Sequence, residues 1–414
     1  YVGSLRMPVW MNGSKPWSFV PDSVYNLFPD AYILKTTYRY EGPELVLTDL
    51  TKEGFDFMGW YDNPDFAGEP ITVIPVGSIG NITVYAKWKP SDQIDLTEIV
   101  VKEDSKAGEE IEYNGKTFVV GENAFATLKE ALEKAESGTK IYVFAGTYID
   151  NVTISKNSIS IIGDKEAIIT GTINISANLE NITIKNLKFT GKGCVVLDVK
   201  GGIKNFTFEG NYVYDTTITT AVIYFKNDGT NENRNFVIKD NVFDVVKATT
   251  LSARYIRGGN VVNLTIINNK FKGIKAQYTD AIRIEGTDDN TTNGIGASGV
   301  VNISNNEFTK IGQRAVWLRR YSASEIIMKN NIFDDNGDRS YGGAIQIEVW
   351  VSGQDTLITI EDNTFKNISA VFYIRLNTDG IKSTSTWKAD IHLNHFGTPT
   401  STATQTTYYI ESTA

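Results

Sequence analysis

Between Ile184 and Phe396 apolar and polar positions alternate in short runs, and one phrase returns eight times. It consists of an aliphatic, aromatic or Met residue, two mostly polar residues, usually Asn, any residue, then usually Phe. Clear copies run from Ile238 to Phe243, Ile266 to Phe271, Ile303 to Phe308, Met328 to Phe333 and Ile360 to Phe365, and looser ones end at Phe189, Val213 and Phe396. Successive end points lie 24, 30, 28, 37, 25, 32 and 31 residues apart, a spacing that predicts a solenoid with loops of variable length. Alternation such as Phe236-Val237-Ile238-Lys239 predicts strands with one face inside and one outside. Coils of such strands stack about 4.8 Å apart, so equivalent residues form ladders. Asn stands two before the end point in seven of eight coils, at Asn211, Asn241, Asn269, Asn306, Asn331, Asn363 and Asn394. Stacked amides can bond coil to coil and tolerate a tight turn, so the Asn and Phe ladders are expected to be scaffold.

After each end point a variable loop leads into a second strand, and these strands align from Val195–Lys200 through Ala221–Lys226 and onward to Phe372–Leu376. Pointing Leu197, Ile223, Ile256, Ile282, Leu318, Ile347 and Ile374 inward sends a different set to solvent. That set holds Tyr224, Lys226, Tyr255, Arg257, Arg283, Glu285, Trp317, Arg319, Gln346, Glu348, Tyr373 and Arg375. Aromatic faces stack on sugar rings and Arg forks grip carboxylate or sulfate, so the lane is expected to bind a glycan chain. The competing expectation is that cross-coil Arg-Glu and aromatic pairs only stabilise a sheet face.

Outside the repeat, Thr127 with Glu130 forms a capping-box pattern ahead of Leu128, Ala131, Leu132 and Ala135 on one helical face, and Gly138 ends it. A helix there would cover the open end of the solenoid. Residues 90–122 read as a linker that becomes a strand near Thr117 to Val120. Residues 1–89, rich in Trp, Tyr and Pro, read as a small module of short strands and hairpins, with Trp60, Tyr61, Tyr85 and Trp88 expected mainly in its core. The predicted domains are therefore 1–89, the linker 90–122, and a β-helix over 123–414.

Composition narrows the function classes. A net charge of −9 argues against a nucleic-acid binder, although a local basic groove for an acidic polymer is compatible with it. No run of about 18 apolar residues exists to span a membrane, and no secretion signal is read from the start at Tyr1. A single cysteine, Cys194, rules out an internal disulfide framework, and its apolar strand makes it a buried structural thiol. The two histidines, His392 and His395, both fall in the last repeat, which disfavours a Ser-His-Asp triad or a histidine metal centre. No cofactor is expected. Calcium is the one ion that the acidic turns Asp288-Asp289-Asn290 and Asp334-Asp335-Asn336-Gly337-Asp338 could hold, but solvated turns are the simpler reading.

Five resemblances add to this. Residues 46–89, with Gly59-Trp60-Tyr61 and Tyr85-Ala86-Lys87-Trp88, resemble the Listeria-Bacteroides repeat, a β-grasp-like module of bacterial surface and secreted proteins. That resemblance implies a secreted or cell-surface location. The run Lys140 to Tyr148, then Asn151 to Ile154 and Ile159 to Asp164, resembles the opening coil of the pectin-lyase-like superfamily of right-handed parallel β-helices, with a capping helix in front. It implies an all-β, single-stranded right-handed solenoid, while activity in that superfamily varies from lyases to non-catalytic adhesins. Val222-Ile223-Tyr224-Phe225-Lys226 with Ile256-Arg257-Gly258-Gly259-Asn260 looks like the active-site coils of chondroitinase-B-like polysaccharide lyases, which implies Lys226 as base and Arg257 as acid of a β-elimination. The family's calcium-binding glutamates have no counterpart in Thr217 to Val222, and Gly258 stands where the family has His. Shorter fragments are similar to pectin methylesterases (Gly312-Gln313-Arg314-Ala315-Val316) and polygalacturonases (Thr279-Asp280-Ala281-Ile282). The expected function is a monomeric, polysaccharide-interacting β-helix protein. The alternatives are a uronate-polysaccharide lyase, or an adhesive or structural protein with a protein partner.

Overall fold

The computed structural model describes residues 2–10, 31–39 and 43–411 apart from 53–54, 80, 91–93, 193–196, 219, 227–230, 245–246, 249–253, 275–278, 287–295, 338–341, 350–355, 369–371, 379–386 and 398–405. Cys194 and the Asp288-Asp289-Asn290 turn lie outside the described residues. The chain divides into two compact units, Tyr1–Ile94 and Asp95–Ala414.

In the first unit, Val2–Trp10 pairs antiparallel with Ala31–Arg39, and Phe55–Tyr61 pairs antiparallel with Tyr85–Pro90. Trp60 is buried among Leu47, Ile74, Val84 and Ala86, and its indole N–H donates to the Thr48 carbonyl at 3.0 Å. Phe57 meets both Trp60 and Trp88 edge-on, at 5.5 and 5.3 Å between ring centres. Trp60, Phe57 and Trp88 thus share the core of this small module with the aliphatic residues Leu47, Ile74 and Val84, while Tyr85 lies outside that cluster.

The second unit is an all-β, right-handed parallel β-helix. Its strands form three parallel sheets, one strand of each per coil. The first sheet includes Lys140–Val143, Ser160–Gly163, Glu180–Lys185 and Lys204–Glu209. The second is built of short strands such as Val242–Asp244, Lys270–Lys272 and Glu307–Thr309. The third includes Ala221–Phe225, Arg254–Gly258, Asp280–Glu285 and Gly343–Val349. The strand Arg314–Lys329 runs through the third sheet and on into the first.

The repeated phrase makes the turn from the first sheet to the second. The residue before each ladder Asn is left-handed, with φ of 57° at Asp240, 58° at Asn268, 57° at Asn305 and 56° at Asn330. Short polar side chains adopt that conformation at low cost. Each ladder amide is fully engaged: the Asn269 Oδ1 accepts from the backbone N–H of Asn241 at 3.0 Å and from its Nδ2 at 2.9 Å, and the Asn269 Nδ2 donates to the Ile238 carbonyl and to Asn306 Oδ1. The column continues unbroken to Asn394. Beside it Phe243, Phe271, Phe308, Phe333, Phe365 and Phe396 stack at 4.8 to 5.1 Å with interplanar angles of 3° to 8°. Full burial of each such ring contributes about 1.5–3 kcal/mol. An exposed amide column, Asn181, Asn205, Asn235 and Asn263, also left-handed, runs along the other end of the first-sheet strands. It is hidden in sequence because an apolar residue follows each of its members, as in any strand.

The helix Leu128–Lys134 starts with the reciprocal Thr127/Glu130 capping box, and Leu128, Ala131, Leu132 and Ala135 join the core at its open end with Ile99, Val101 and Ile141. Within residues 90–122 the expected strand near Thr117 to Val120 is present as Lys116–Val119, but the segment before it differs from the linker expectation. Glu98–Val101 is a strand of the first coil, parallel to Lys140–Val143, and Glu110–Tyr113 with Lys116–Val119 forms a hairpin. The hairpin covers the strand's outer face, with Val100 packed on Ile111 and Phe118. A strand buried on both faces loses the alternation by which strands are read, and the charged turns around it give the segment a linker's composition.

Candidate functional site

The third sheet presents two outward columns of side chains. Register pairs Asp198 with Tyr224, Tyr224 with Arg257, Arg257 with Arg283, Arg283 with Trp317, Trp317 with Gln346 and Gln346 with Arg375, one residue per coil. Two positions further on, Glu285 pairs with Arg319 and Arg319 with Glu348. Parallel strands repeat about every 4.8 Å, so these groups are displayed in line at close intervals.

The columns are knitted together by charge. Glu285 is gripped by two arginines, one per oxygen. Its Oε1 takes Arg257 Nε at 3.0 Å and Nη2 at 2.9 Å, while its Oε2 takes Arg283 Nε at 2.8 Å and Nη2 at 2.6 Å. Arg319 Nε lies 3.2 Å from Glu348 Oε2. Glu348 Oε1 accepts from Gln346 Nε2 at 2.6 Å, and Gln346 Oε1 accepts from Arg314 Nε. Charge-assisted forks of this kind hold guanidinium planes in fixed orientations.

Trp317 lies within the same cluster. The guanidiniums of Arg283 and Arg314 sit 4.1 and 4.0 Å from its ring centre. The ring is therefore occupied by cation–π contacts, and its role is to position two arginines rather than to offer a bare platform for a sugar. Arg257 lies 6.0 Å from the Tyr224 ring centre, at the limit of such a contact.

At the start of these strands lies a charge network that the alternation did not predict. Arg254, Asp280 and Arg314 occupy successive coils at one register position, with side-chain exposures of 4%, 0% and 11%. Arg254 Nε is 2.7 Å from Asp280 Oδ2, Arg314 Nη1 is 3.7 Å from Asp280 Oδ1, and the Arg314 backbone N–H donates to Asp280 Oδ1 at 3.1 Å. Burial pushes the Arg254 and Arg314 guanidiniums below their ordinary value, and the Asp280 charge pulls them back. Sequence carried one signal of this network: a charged residue three before the outward column in three consecutive coils.

Two expected lane residues are corrected. Tyr255 and Tyr373 point into the core. Tyr255 is fully buried, edge-on to Phe243 and Phe271 at 6.2 and 6.0 Å, and its hydroxyl donates to the Lys272 carbonyl at 2.9 Å. Tyr373 is 4% exposed, against Phe365 and Phe396. Tyr255 and Ile256 are both fully buried near the start of the strand Arg254–Gly258, so strict alternation begins only with Arg257. Gln346 and Glu348 keep the outward register but are 3% and 7% exposed, their polar ends consumed by Arg314 and Arg319. Tyr224, Arg257, Arg283, Glu285, Trp317, Arg319 and Arg375 are partly exposed, and Lys226 is exposed.

Lys226 and Arg257, the base and acid implied by the lyase resemblance, stand one coil and two positions apart, with Arg257 held by Glu285. Asp280, Glu285 and Glu348 are each paired with guanidiniums. Among the described residues no group of three His, Cys, Asp or Glu side chains could hold a metal ion. In the Asp334 turn, Asn336 is buried and spends its amide on the Ile311 N–H and the Phe308 carbonyl. No helix of the described residues is long and apolar enough to cross a membrane.

Residues 30–87 match the family of the Listeria-Bacteroides repeat domain. No curated protein matches the sequence. Among solved structures, the chain is similar to a family 28 exopolygalacturonase from Yersinia enterocolitica, at 12% identity and a TM-score of 0.37 over 79% of this chain and 80% of that one. It is similar to the catalytic domain of a GH87 alpha-1,3-glucanase in complex with nigerose, at 14% identity and a TM-score of 0.41 over 92% and 84%. It is also similar to an alginate lyase from Paenibacillus sp., at 15% identity and a TM-score of 0.31 over 69% and 96%. At such identities a likeness in coil architecture is compatible with unrelated chemistry.

Proposed function

We propose that the outer face of the third sheet binds a linear polysaccharide without turning it over, with acidic glycans preferred. The observation that carries this reading is a local cation surplus on a chain of net charge −9. The partly exposed arginines Arg257, Arg283, Arg319 and Arg375, with the exposed Lys226, face the carboxylates of Glu285 and Glu348. Arg257 and Arg283 are fixed by their forks to Glu285, so little side-chain entropy is left to lose when an anionic group arrives. A column of such groups at coil spacing suits a ligand that is itself a repeating chain. Tyr224 supplies a ring for stacking at one end of the column. The same reading has the protein act outside the cytoplasm, where polysaccharide is met.

The test is a titration of the full chain with polygalacturonate, chondroitin sulfate and a neutral glucan by calorimetry at low and moderate salt. The acidic polymers should bind, binding should weaken as salt rises, and Arg319→Gln and Arg375→Gln should each reduce affinity. The absence of affinity for every acidic polymer at low salt would end this reading. Unsaturated uronate appearing in ultraviolet absorbance, and lost in Lys226→Ala, would replace it with β-elimination.

A further inference from the structure

We propose a second binding site, for an organic ammonium group, in the cleft beside the capping hairpin of the second unit. The cleft has a volume of about 280 Å³ and lies where the hairpin ends and the outer surface of the strands Lys140–Val143 and Ser160–Gly163 begins. It belongs to the first sheet and shares no residue with the arginine columns.

Its wall is aromatic. The ring of Tyr113 meets that of Tyr142 at 4.8 Å and that of Phe144 at 5.2 Å, and all three rings are only partly buried. The Tyr142 hydroxyl donates to Glu98 Oε1 at 3.1 Å, which leaves its ring rich in electrons.

Every charged residue lining the cleft is negative: Glu112 on the hairpin and Asp164 on the second coil, both exposed. Neither is in an ion pair among the described residues, and the bonds they do make come from neutral donors. Glu112 accepts from the Thr117 hydroxyl and Asp164 Oδ1 from the Glu166 N–H at 3.3 Å. Lys116, the nearest hairpin cation, is committed to Glu98 at 2.5 Å.

An aromatic wall whose lining carries two carboxylates and no cation, with Lys116 spent on Glu98 and Lys185 one coil beyond Ile162, is complementary to a positive charge carried on an apolar frame, since the ring faces and the carboxylates attract the same sign. A uronate or sulfate is repelled there. A neutral sugar would stack on the rings and leave both carboxylates unmatched. The charge preference of this cleft is therefore the reverse of that proposed for the third sheet, and the two sites stand or fall separately.

The experiment is a saturation-transfer NMR and calorimetric titration of the full chain with choline chloride at low ionic strength, with sodium chloride as the matched control. The same titration is run with 3,3-dimethylbutan-1-ol, the uncharged carbon isostere of choline. Choline is expected to bind with a dissociation constant on the order of 1 mM, and the isostere about tenfold or more weaker. Glu112→Gln combined with Asp164→Asn should weaken choline about tenfold, because it removes both charges and keeps both acceptor carbonyls. Both positions are exposed, so circular dichroism of that variant should match the parent. No choline binding, equal binding of the isostere, or an unchanged affinity in the double variant would each overturn the proposal.

Discussion

Asp280→Asn is the most demanding perturbation of the third sheet. Asn has the shape of Asp and keeps an oxygen for the Arg314 backbone N–H, so only the charge is lost. That charge faces Arg254 at 2.7 Å and Arg314 at 3.7 Å, with Arg283 Nη1 at 4.0 Å. At an effective dielectric constant near 20, a pair of charges at about 4 Å interacts by roughly 4 kcal/mol. Removing one partner from a buried cluster costs about 3–5 kcal/mol in net terms, because the guanidiniums left behind are desolvated and uncompensated. Burial already disfavours the charged forms of Arg254 and Arg314. The expected loss is about 4 kcal/mol in urea-induced unfolding of the second unit. The double variant Arg254→Met with Asp280→Asn should lose less than the two single losses combined, since the second change removes a charge that the first had stranded. A loss below about 1 kcal/mol for Asp280→Asn would refute the reasoning, as would additive effects in the double variant.

Asn269→Ala should cost about 4 kcal/mol, since it strands the Asn241 N–H and the Ile238 carbonyl inside the ladder. Asn394→Ala, at the part-buried last coil, should cost about 1–2 kcal/mol; equal values in chemical denaturation would show that the ladder does not act through its neighbours on both sides. Burial raises Tyr148 to about 12 from an ordinary value of 10.0. Because the folded state holds the proton more tightly, this contribution is complete below about pH 10 and is lost as pH rises towards about 12, on the order of 2–3 kcal/mol. A parent protein whose stability falls no faster than that of Tyr148→Phe across that window would contradict this. Thr127→Ala removes one half of the capping box and should lower stability by about 1 kcal/mol, read as a shift in thermal midpoint that Thr127→Ser largely avoids.

Much of the scaffold was legible because it is written in nearest-neighbour terms. Phe243 and its successors are apolar at a fixed offset from an Asn, and the turn between them is too short to vary, so a ladder follows from the repeat alone. The Thr127/Glu130 box is equally local. Glu98–Val101 was missed because its second buried face depends on a hairpin packing over it. The candidate site was legible in part: the outward register of Tyr224, Arg257, Arg283, Trp317 and Arg319 follows from alternation, whereas Tyr255 and Tyr373, each the second residue of its strand, break it by packing on the Phe ladder.

By itself, then, the sequence determined the coils, their ladders, the capping helix and which residue types stand on the third sheet, because each of these depends on a period or on contacts between near neighbours. Tertiary structure alone decided how the charges pair. Loops of different length separate the coils by 24 to 37 residues, so no constant offset in sequence links Arg257 to Glu285 or Arg254 to Asp280. Only stacking one strand on the next brings those groups within hydrogen-bonding distance. That stacking turned Trp317 into a clamp for two arginines and sent Tyr255 into the core.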